Sequence, residues 1–426
     1  MFSVLFKTWA LMLGILLLMI GNGLQGTLLG VRGSLESIDP SWMGYIMSAY
    51  FVGFLGGSWI TPMLLRRVGH VRVFAAFGSL VSAAFILYAA FVNPVFWLLM
   101  RIVVGFCFSG LYVVAESWIN DMSSNENRGQ ALSLYILVQM VGVVSGQLLL
   151  NVADPSGYGL FIMISVLVSI SFAPILLSVS PTPVFSSSRP MSLRELLSVS
   201  PLGCVGIFLM GGVFSALLGM SSVFGTQVGL SVKEISWFVT AIFVGGMLMQ
   251  YPVGWISDRM DRRTLIVILT ALASGFSVMG IFVTDSVWLL IGAALCIGAV
   301  VNPLYPLLLA YTNDHLESDQ MASASGGLLF INGFGAMSGP IIVGYLLNNV
   351  GPDGFFMFLA VLTALVCLYS VFRMTRSEAV AVEDTNPYVP VTASTTSVAV
   401  EIATEIAIEE GDDSEQQPPG DSEKQL

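Results

Sequence analysis

Twelve stretches of this sequence stay apolar for about 20 residues, the length a helix needs to cross a lipid bilayer. No other feature constrains the chain as strongly. The stretches fall at 9–30, 42–64, 72–92, 95–119, 129–151, 158–179, 201–226, 234–256, 264–283, 287–311, 322–347 and 354–373. Backbone in hydrocarbon must satisfy its own hydrogen bonds, so runs this long predict helices. Composition agrees. Only 10% of residues are charged and 55% are hydrophobic, whereas soluble domains carry about 25% charged residues. The expected fold class is an all-α membrane protein with twelve transmembrane helices. The first run is too long for a signal peptide. Gly21-Asn22-Gly23 sits in its middle and no small-x-small cleavage site follows, so it is expected to be retained.

The net charge of −11 has a location. Residues 377–426 hold twelve acidic residues and one base, Lys424, while residues 1–376 hold 15 of each sign. The acidity therefore belongs to the tail and implies no acidic binding site. The tail is polar and is expected to be mostly disordered in solvent. Glu401, Glu405 and Glu409 recur every four residues beside Ile402 and Ile406, which leaves a short amphipathic helix open. Lys and Arg near helix ends set orientation. With the N-terminus inside, Lys7, Arg66, Arg67, Arg72, Arg128, Arg189, Arg194, Arg259, Arg262, Arg263, Arg373 and Arg376 face the cytoplasm, and only Arg32 and Lys233 face away. Both termini are expected in the cytoplasm.

Counting removes several chemistries. His70 and His315 are the only histidines, both in short polar connections, so a catalytic triad or multi-histidine metal site is not expected. None of Lys7, Lys233 and Lys424 follows a glycine, so a phosphate-cradling GxxxxGK loop is missing. Cys107, Cys204, Cys296 and Cys367 lie inside apolar runs without paired short spacing and behave as core residues. The chain is expected to be no enzyme, to hold no metal or cofactor, and to bind no nucleic acid.

The two halves echo each other at an offset of 192–193 residues. Phe51-Val52-Gly53 returns as Phe243-Val244-Gly245, Arg67 as Arg259, and Gly142 and Gly146 as Gly335 and Gly339. Gly105, Leu111, Tyr112, Asn120 and Asp121 return as Gly298, Leu304, Tyr305, Asn313 and Asp314. The expected organisation is a six-helix bundle over 1–179, a cytoplasmic linker over 180–200, a second six-helix bundle over 201–376, and the tail from 377. The second part of the linker, Met191–Ser200, could form a short helix on the membrane surface. Parallel six-helix repeats are an architecture of secondary transporters, with the site between halves near the midplane.

The connection after the eighth span, Gly254-Trp-Ile-Ser-Asp258-Arg259-Met-Asp261-Arg262-Arg263, closely resembles the G-x-x-x-D-R-x-G-R-R loop signature of the major facilitator superfamily. The resemblance implies a gating role for Asp258, Arg259, Arg262 and Arg263, although Asp261 stands at the second glycine position. The matching first-half loop departs further, with Arg66 where the family has Asp and Pro62 where it has Gly. The fourth span begins Arg101-Ile-Val-Val-Gly105, which resembles the R-x-x-x-G element of proton-coupled members. Gln147 follows Gly146 where drug/proton antiporters usually continue with Pro, which weakens the antiporter reading. Over most of 9–373 the chain is similar to the bacterial YcaD-like branch, on Gly21-Asn-Gly-Leu-Gln-Gly-Thr-Leu-Leu-Gly30, Tyr112-Val-Val-Ala-Glu-Ser-Trp118 and Ser257-Asp-Arg259.

The polar residues inside the spans are the candidate site. A guanidinium in the bilayer costs about 2.5–3.5 kcal/mol unless it meets water or a partner. Arg101 is therefore expected in the cavity, facing a substrate anion, a carboxylate or carbonyls. Glu116 lies about 60° round the same helix and about 22 Å further along. It could carry a proton or form a structural link to an arginine such as Arg128. Asn22 and Gln25 sit mid-span in the first helix, and Asn302-Pro303-Leu-Tyr305-Pro306 interrupts the tenth. The resemblance implies that the first, fourth, seventh and tenth helices line the cavity, so Asn22, Gln25, Arg101, Tyr112, Asn302 and Tyr305 are the expected solute contacts. The expected function is alternating-access transport of a small organic solute across a bacterial inner membrane. It would be proton-coupled, with efflux favoured over import, and would act as a monomer in the lipid bilayer. The alternative is a non-transporting sensor or scaffold that signals through the tail.

Overall fold

A computed structural model of the chain describes residues 2–123, 125–177, 191–376, 380–381, 385–392 and 396–416. The first half comprises α1 (Phe2–Leu35), α2 (Pro40–Val68), α3 (His70–Ala90), α4 (Pro94–Met122), α5 (Asn125–Leu149), α6 (Gly159–Ser171) and α7 (Ala173–Leu177). A short α8 (Leu193–Val199) precedes the second half: α9 (Pro201–Gly219), α10 (Ser221–Gln227), α11 (Val232–Ser257), α12 (Arg262–Phe282), α13 (Val287–Val301), α14 (Leu304–Asn313), α15 (Ser318–Asn349) and α16 (Asp353–Met374). The last helix is α17 (Ser397–Gln416). Among the described residues, twelve segments are long and apolar enough to cross a membrane, one for each apolar run of the sequence.

Local chemistry sets the helix ends. Asp39 caps α2 by accepting from the Ser41 N–H, and Asn93 caps α4 by accepting from Val95 and Phe96; each is followed by a proline in the first turn. Ser231 and Glu234 form a reciprocal capping box at the start of α11. Gly69 takes φ +85° between α2 and α3, a left-handed conformation that favours glycine. The tenth span breaks at Asn302-Pro303, as the sequence suggested. There the Asn302 amide donates to the Ile242 and Gly298 carbonyls at 3.2 and 3.0 Å, so the break is held by the protein itself.

The repeat seen in sequence is a packing repeat. In the first half a Cβ on Gly53 would meet the Ile102 carbonyl of α4, and one on Gly105 the Tyr50 carbonyl of α2. In the second half Gly245 stands in the same relation to Leu295, and Gly298 to Ile242. Gly146 lies against the Ile20 carbonyl and Gly339 against that of Gly212. Helix backbones approach this closely only where side chains are absent.

The two ends of the bundle differ. At the arginine-poor end the halves touch. Ser34 and Thr226 hydroxyls lie 2.7 Å apart, the Ser236 hydroxyl donates to the Gln147 carbonyl at 2.6 Å, and the Asn151 amide donates to Ser236 at 3.0 Å. Gly44 of α2 packs on the Pro340 carbonyl of α15. At the arginine-rich end another part of the chain stands between the halves: α17 packs on α4 and α5 of the first and on α15 of the second.

That placement corrects the expectation of a solvated tail. Residues Val391, Thr396, Ala399, Val400, Ile402, Ala403 and Ile406 are buried against the bundle. The acidic composition described one flank of the segment and hid the apolar one. The first part of the expected linker lies outside the described residues. Its second part is α8, capped by Ser192.

Candidate functional site

A cavity at mid-depth lies between the halves. The first half contributes Asn22 from α1, Tyr50, Phe51 and Phe54 from α2, Tyr112 from α4, and Gln139 from α5. The second contributes Phe214 from α9, Phe243 and Gln250 from α11, Asn302 from the α13–α14 break, and Asn332 from α15. Val391 and Thr392 of the tail segment complete the wall, and about 80 Å³ of space remains. Among the described residues that line it, none carries a formal charge. The surface is aromatic and studded with amides, which offer donors and acceptors together.

Of the six expected solute contacts, Asn22, Tyr112 and Asn302 line this cavity. Gln25, Arg101 and Tyr305 do not line the cavity. Arg101 is buried one layer behind it. Its Nη1 donates to Gln25 Oε1 at 3.2 Å, its Nη2 approaches Met47 Sδ at 3.3 Å, and its Cζ lies 5.0 Å from the centre of the Tyr50 ring. The expectation that it lies in the cavity facing a substrate anion, a carboxylate or backbone carbonyls is corrected: the Gln25 side-chain amide, a thioether and an aromatic face receive it. Gln25 in turn donates to Asn22 Oδ1, and Asn22 Nδ2 donates to the Tyr112 hydroxyl at 2.7 Å. A hydrogen-bonded chain thus runs from the buried guanidinium to two residues of the cavity wall. Tyr305 is buried, and its hydroxyl has no hydrogen-bond partner among the described residues.

Glu116 is buried on α4 at the arginine-rich side. It accepts from the Tyr135 hydroxyl at 3.2 Å and from the Ala399 N–H at 3.3 Å; the Thr396 hydroxyl and N–H also donate to it. The carboxylate thus caps the first turn of α17, where unpaired N–H groups and the helix dipole favour a negative charge. The suggested link to Arg128 is not made. Arg128 instead pairs with Glu405 of α17 at 2.6 Å.

The loop after α11 forms a second polar cluster. Arg262 is held by both carboxylate oxygens of Asp314 at 2.6 Å and lies 3.5 Å from Asp258. Asp261 caps α12 and pairs with Arg263 at 3.2 Å. Arg259 stacks on Trp255 at 4.3 Å. The tail joins this cluster too. The Asn386 N–H donates to Asp314 at 3.0 Å, the Tyr388 N–H donates to Asp258 at 2.9 Å, and Arg262 donates to the Asn386 carbonyl. Burial lifts the Asp314 carboxyl above the usual carboxylate range, with the Arg262 charge pulling the other way. Burial likewise raises the Tyr388 phenol.

Known proteins match this architecture along nearly the whole chain. The family model of the Major Facilitator Superfamily matches residues 11–233 and 203–400. The chain belongs to the major facilitator superfamily. Among curated proteins of that superfamily it is similar to the uncharacterized MFS-type transporter YcaD of Escherichia fergusonii, at 24% identity over 82% of this chain and 91% of the relative. It is equally similar to YcaD of Salmonella arizonae, at 25% identity with the same coverage. Among solved structures it shares its fold with the nucleoside transporter NupG, with a TM-score of 0.70 at 12% identity over 87% of this chain and 100% of that one. It also resembles a bacterial homologue of the human lysosomal transporter Spinster, with a TM-score of 0.68 at 13% identity over 98% and 99% of the two chains. The chain is a multi-pass bacterial membrane protein and a transporter of this superfamily.

The amides Gln139, Gln250 and Asn332 were missed from sequence. They carry the signal that singled out Asn22, an amide within an apolar run. Val391 and Thr392 were missed because they lie outside the spans.

Proposed function

We propose that this superfamily member moves a small uncharged organic solute by alternating access, binding it between the two halves at the mid-depth cavity. The observation that carries the reading is the lining. Asn22 and Gln139 of one half face Asn302, Asn332 and Gln250 of the other across aromatic side chains, with no formal charge among the described lining residues. Such a surface suits a flat ring with a hydrogen-bonding edge and disfavours a free organic ion, whose lost hydration nothing here replaces. This reading drops the substrate anion that Arg101 was expected to face, because Arg101 is already engaged behind the wall. The nucleoside class named for NupG fits the same description and supplies a probe.

The arginine-rich end is assigned to the cytoplasm of the inner membrane, as basic residues favour. The halves meet at the opposite end, so the conformation is inward-facing. The proton gradient is the proposed energy source. Glu116 is the only acidic residue more than one turn inside a span, and its protonation state is the proposed coupling element.

A stability screen tests the cargo class, because a bound solute raises melting by mass action. Uridine, adenosine and neutral aromatic amides are expected to stabilise the purified chain once Ala403→Pro has freed Val391 and Thr392 from the cavity wall, and Asn302→Leu to remove the effect. Stabilisation by organic anions alone would overturn the reading. Counterflow of a stabilising solute in proteoliposomes then tests transport itself.

A further inference from the structure

The tail segment lies where a solute in the inward-facing state would leave. Val391 and Thr392 form part of the cavity wall, and about 80 Å³ remains beside them, against roughly 300–1,000 Å³ in typical small-molecule sites. No cargo of useful size shares the cavity with this segment. The segment also engages both halves through specific groups. On one half Glu116 caps the first turn of α17 and Arg128 pairs with Glu405; on the other, Asp314 and Asp258 hold the Asn386 and Tyr388 N–H groups.

We infer that residues 385–392 and 396–406 form a self-inhibitory plug, for which the cytoplasmic vestibule between α4, α5 and α15 is the receptor. The plug acts in two ways. It fills the exit from the cavity, and it wedges the halves apart at the end where they must converge before the protein can open outward. Being tethered, it competes with free solute at the high effective concentration of an intramolecular ligand. Its hold rests on a helix N-terminus at a buried carboxylate, one ion pair and two backbone N–H groups on aspartates, so it is specific and also releasable. The tail satisfies acceptors that its departure would expose: Glu116 in one half, and Asp314 and Asp258, which hold its N–H groups, in the other. The inference rests on the proposed function in one respect, that the mid-depth cavity is the solute route.

The test needs no cargo. In full-length protein with Cys107, Cys204, Cys296 and Cys367 replaced by serine or alanine, Val143→Cys places a reporter on the cavity wall. A membrane-impermeant maleimide is then applied from the arginine-rich side in vesicles. With the native tail, labelling is expected to be slow. Ala403→Pro breaks α17, which is not one of the membrane-spanning helices, and is expected to speed labelling about tenfold or more. Arg128→Glu and Glu405→Arg are each expected to speed it, and the double reversal to restore the slow rate. As a positional check, Gly129→Cys with Ile406→Cys should form a disulfide on oxidation, because a Cβ on Gly129 would lie 3.6 Å from Ile406 Cγ2. Equal labelling rates in all variants, or failure of that cross-link, would overturn the plug and leave the transport reading standing. Faster labelling upon release, with no neutral solute stabilising the released protein, would keep the plug and overturn the cargo class.

Discussion

Glu116 of α4 and Thr396 of the tail, 280 residues apart, are hydrogen-bonded through both the hydroxyl and the N–H of the threonine. The Ala399 N–H adds a third donor at 3.3 Å. Every one of these partners donates, so the contact requires an acceptor-only group. Glu116→Gln presents an amide NH₂ to that cluster. Hydrogen bonds to a buried charge contribute about 1.5–3 kcal/mol, so tail docking should weaken by about that amount. The expected readout is faster labelling of Val143→Cys with little change in the melting of the bundle. An unchanged rate would show that the carboxylate is not part of the docking contact.

The paired glycines yield a prediction with an internal control. Gly298→Ala places a Cβ against the Ile242 carbonyl, and Gly105→Ala places one against the Tyr50 carbonyl. Overpacking of this kind costs about 1–3 kcal/mol. Gly292→Ala meets nothing within 4 Å. It replaces an exposed helical glycine and should be neutral or stabilising by up to about 1 kcal/mol. Thermal melting in detergent reads all three. Equal losses at the three positions would remove the packing argument.

What was legible in the sequence was local. Hydropathy located the spans, because bilayer thickness acts on every run separately. The Gly105–Gly298 and Gly53–Gly245 offsets were legible because close helix approach leaves few residues to choose from. Facing was not legible. Arg101 and Asn22 are both polar residues within spans, yet one lies behind the wall and the other in it, and only the helix neighbours decide which. The tail was misjudged because composition averages over a helix's faces. Ala399, Ile402, Ala403 and Ile406 recur at intervals of three and four residues, the period of a buried stripe. That stripe was present beside the glutamates that drew attention.

Arg101 acts on the cavity through other residues. Its guanidinium holds Gln25, which holds Asn22, which holds Tyr112. A desolvated cation–π contact alone contributes about 2 kcal/mol. Arg101→Met should therefore weaken solute-dependent stabilisation by about tenfold or more, while Asn22 stays in place. Arg101→Lys should recover little, because a lysine cannot both fork to Gln25 and lie flat on Tyr50. The check is a titration of melting temperature with uridine, or with whichever neutral solute stabilises the parent. Full affinity in Arg101→Met would separate the chain of hydrogen bonds from binding.

The closed end rests on few bonds. Ser236 donates to the Gln147 carbonyl at 2.6 Å and receives the Asn151 amide at 3.0 Å. Ser236→Ala removes both, at about 0.5–1.5 kcal/mol each. The population open at the arginine-poor end should rise several-fold. Spin labels at Leu35 and Lys233 should then show a longer distance component that the parent lacks, and the component should grow when the tail is released by Ala403→Pro. Identical distance distributions would show that the gate lies elsewhere.

Asp314 gives the tail contact a pH dependence. Burial raises its carboxyl above the ordinary range although Arg262 opposes the shift. A carboxyl with a raised folded pKa contributes most to stability below the ordinary carboxylate range. That contribution fades as pH rises through the raised value. Acidification therefore does not unfold the bundle through this group. It removes the charge that receives Arg262 and the Asn386 N–H. Asp258 and Arg262 face the same contact, His315 acts on it through space, and Glu116 and the Arg128–Glu405 pair hold the rest of the tail. Protonating Asp314 therefore loosens the tail. Labelling of Val143→Cys, normalised to Ala403→Pro in the same buffer, should rise about twofold or more as the pH falls below neutral through the raised Asp314 value. Asp314→Asn should flatten that rise. A normalised rate that falls on acidification would contradict the assignment, because loss of the Asp314 charge weakens its hold on the Asn386 N–H.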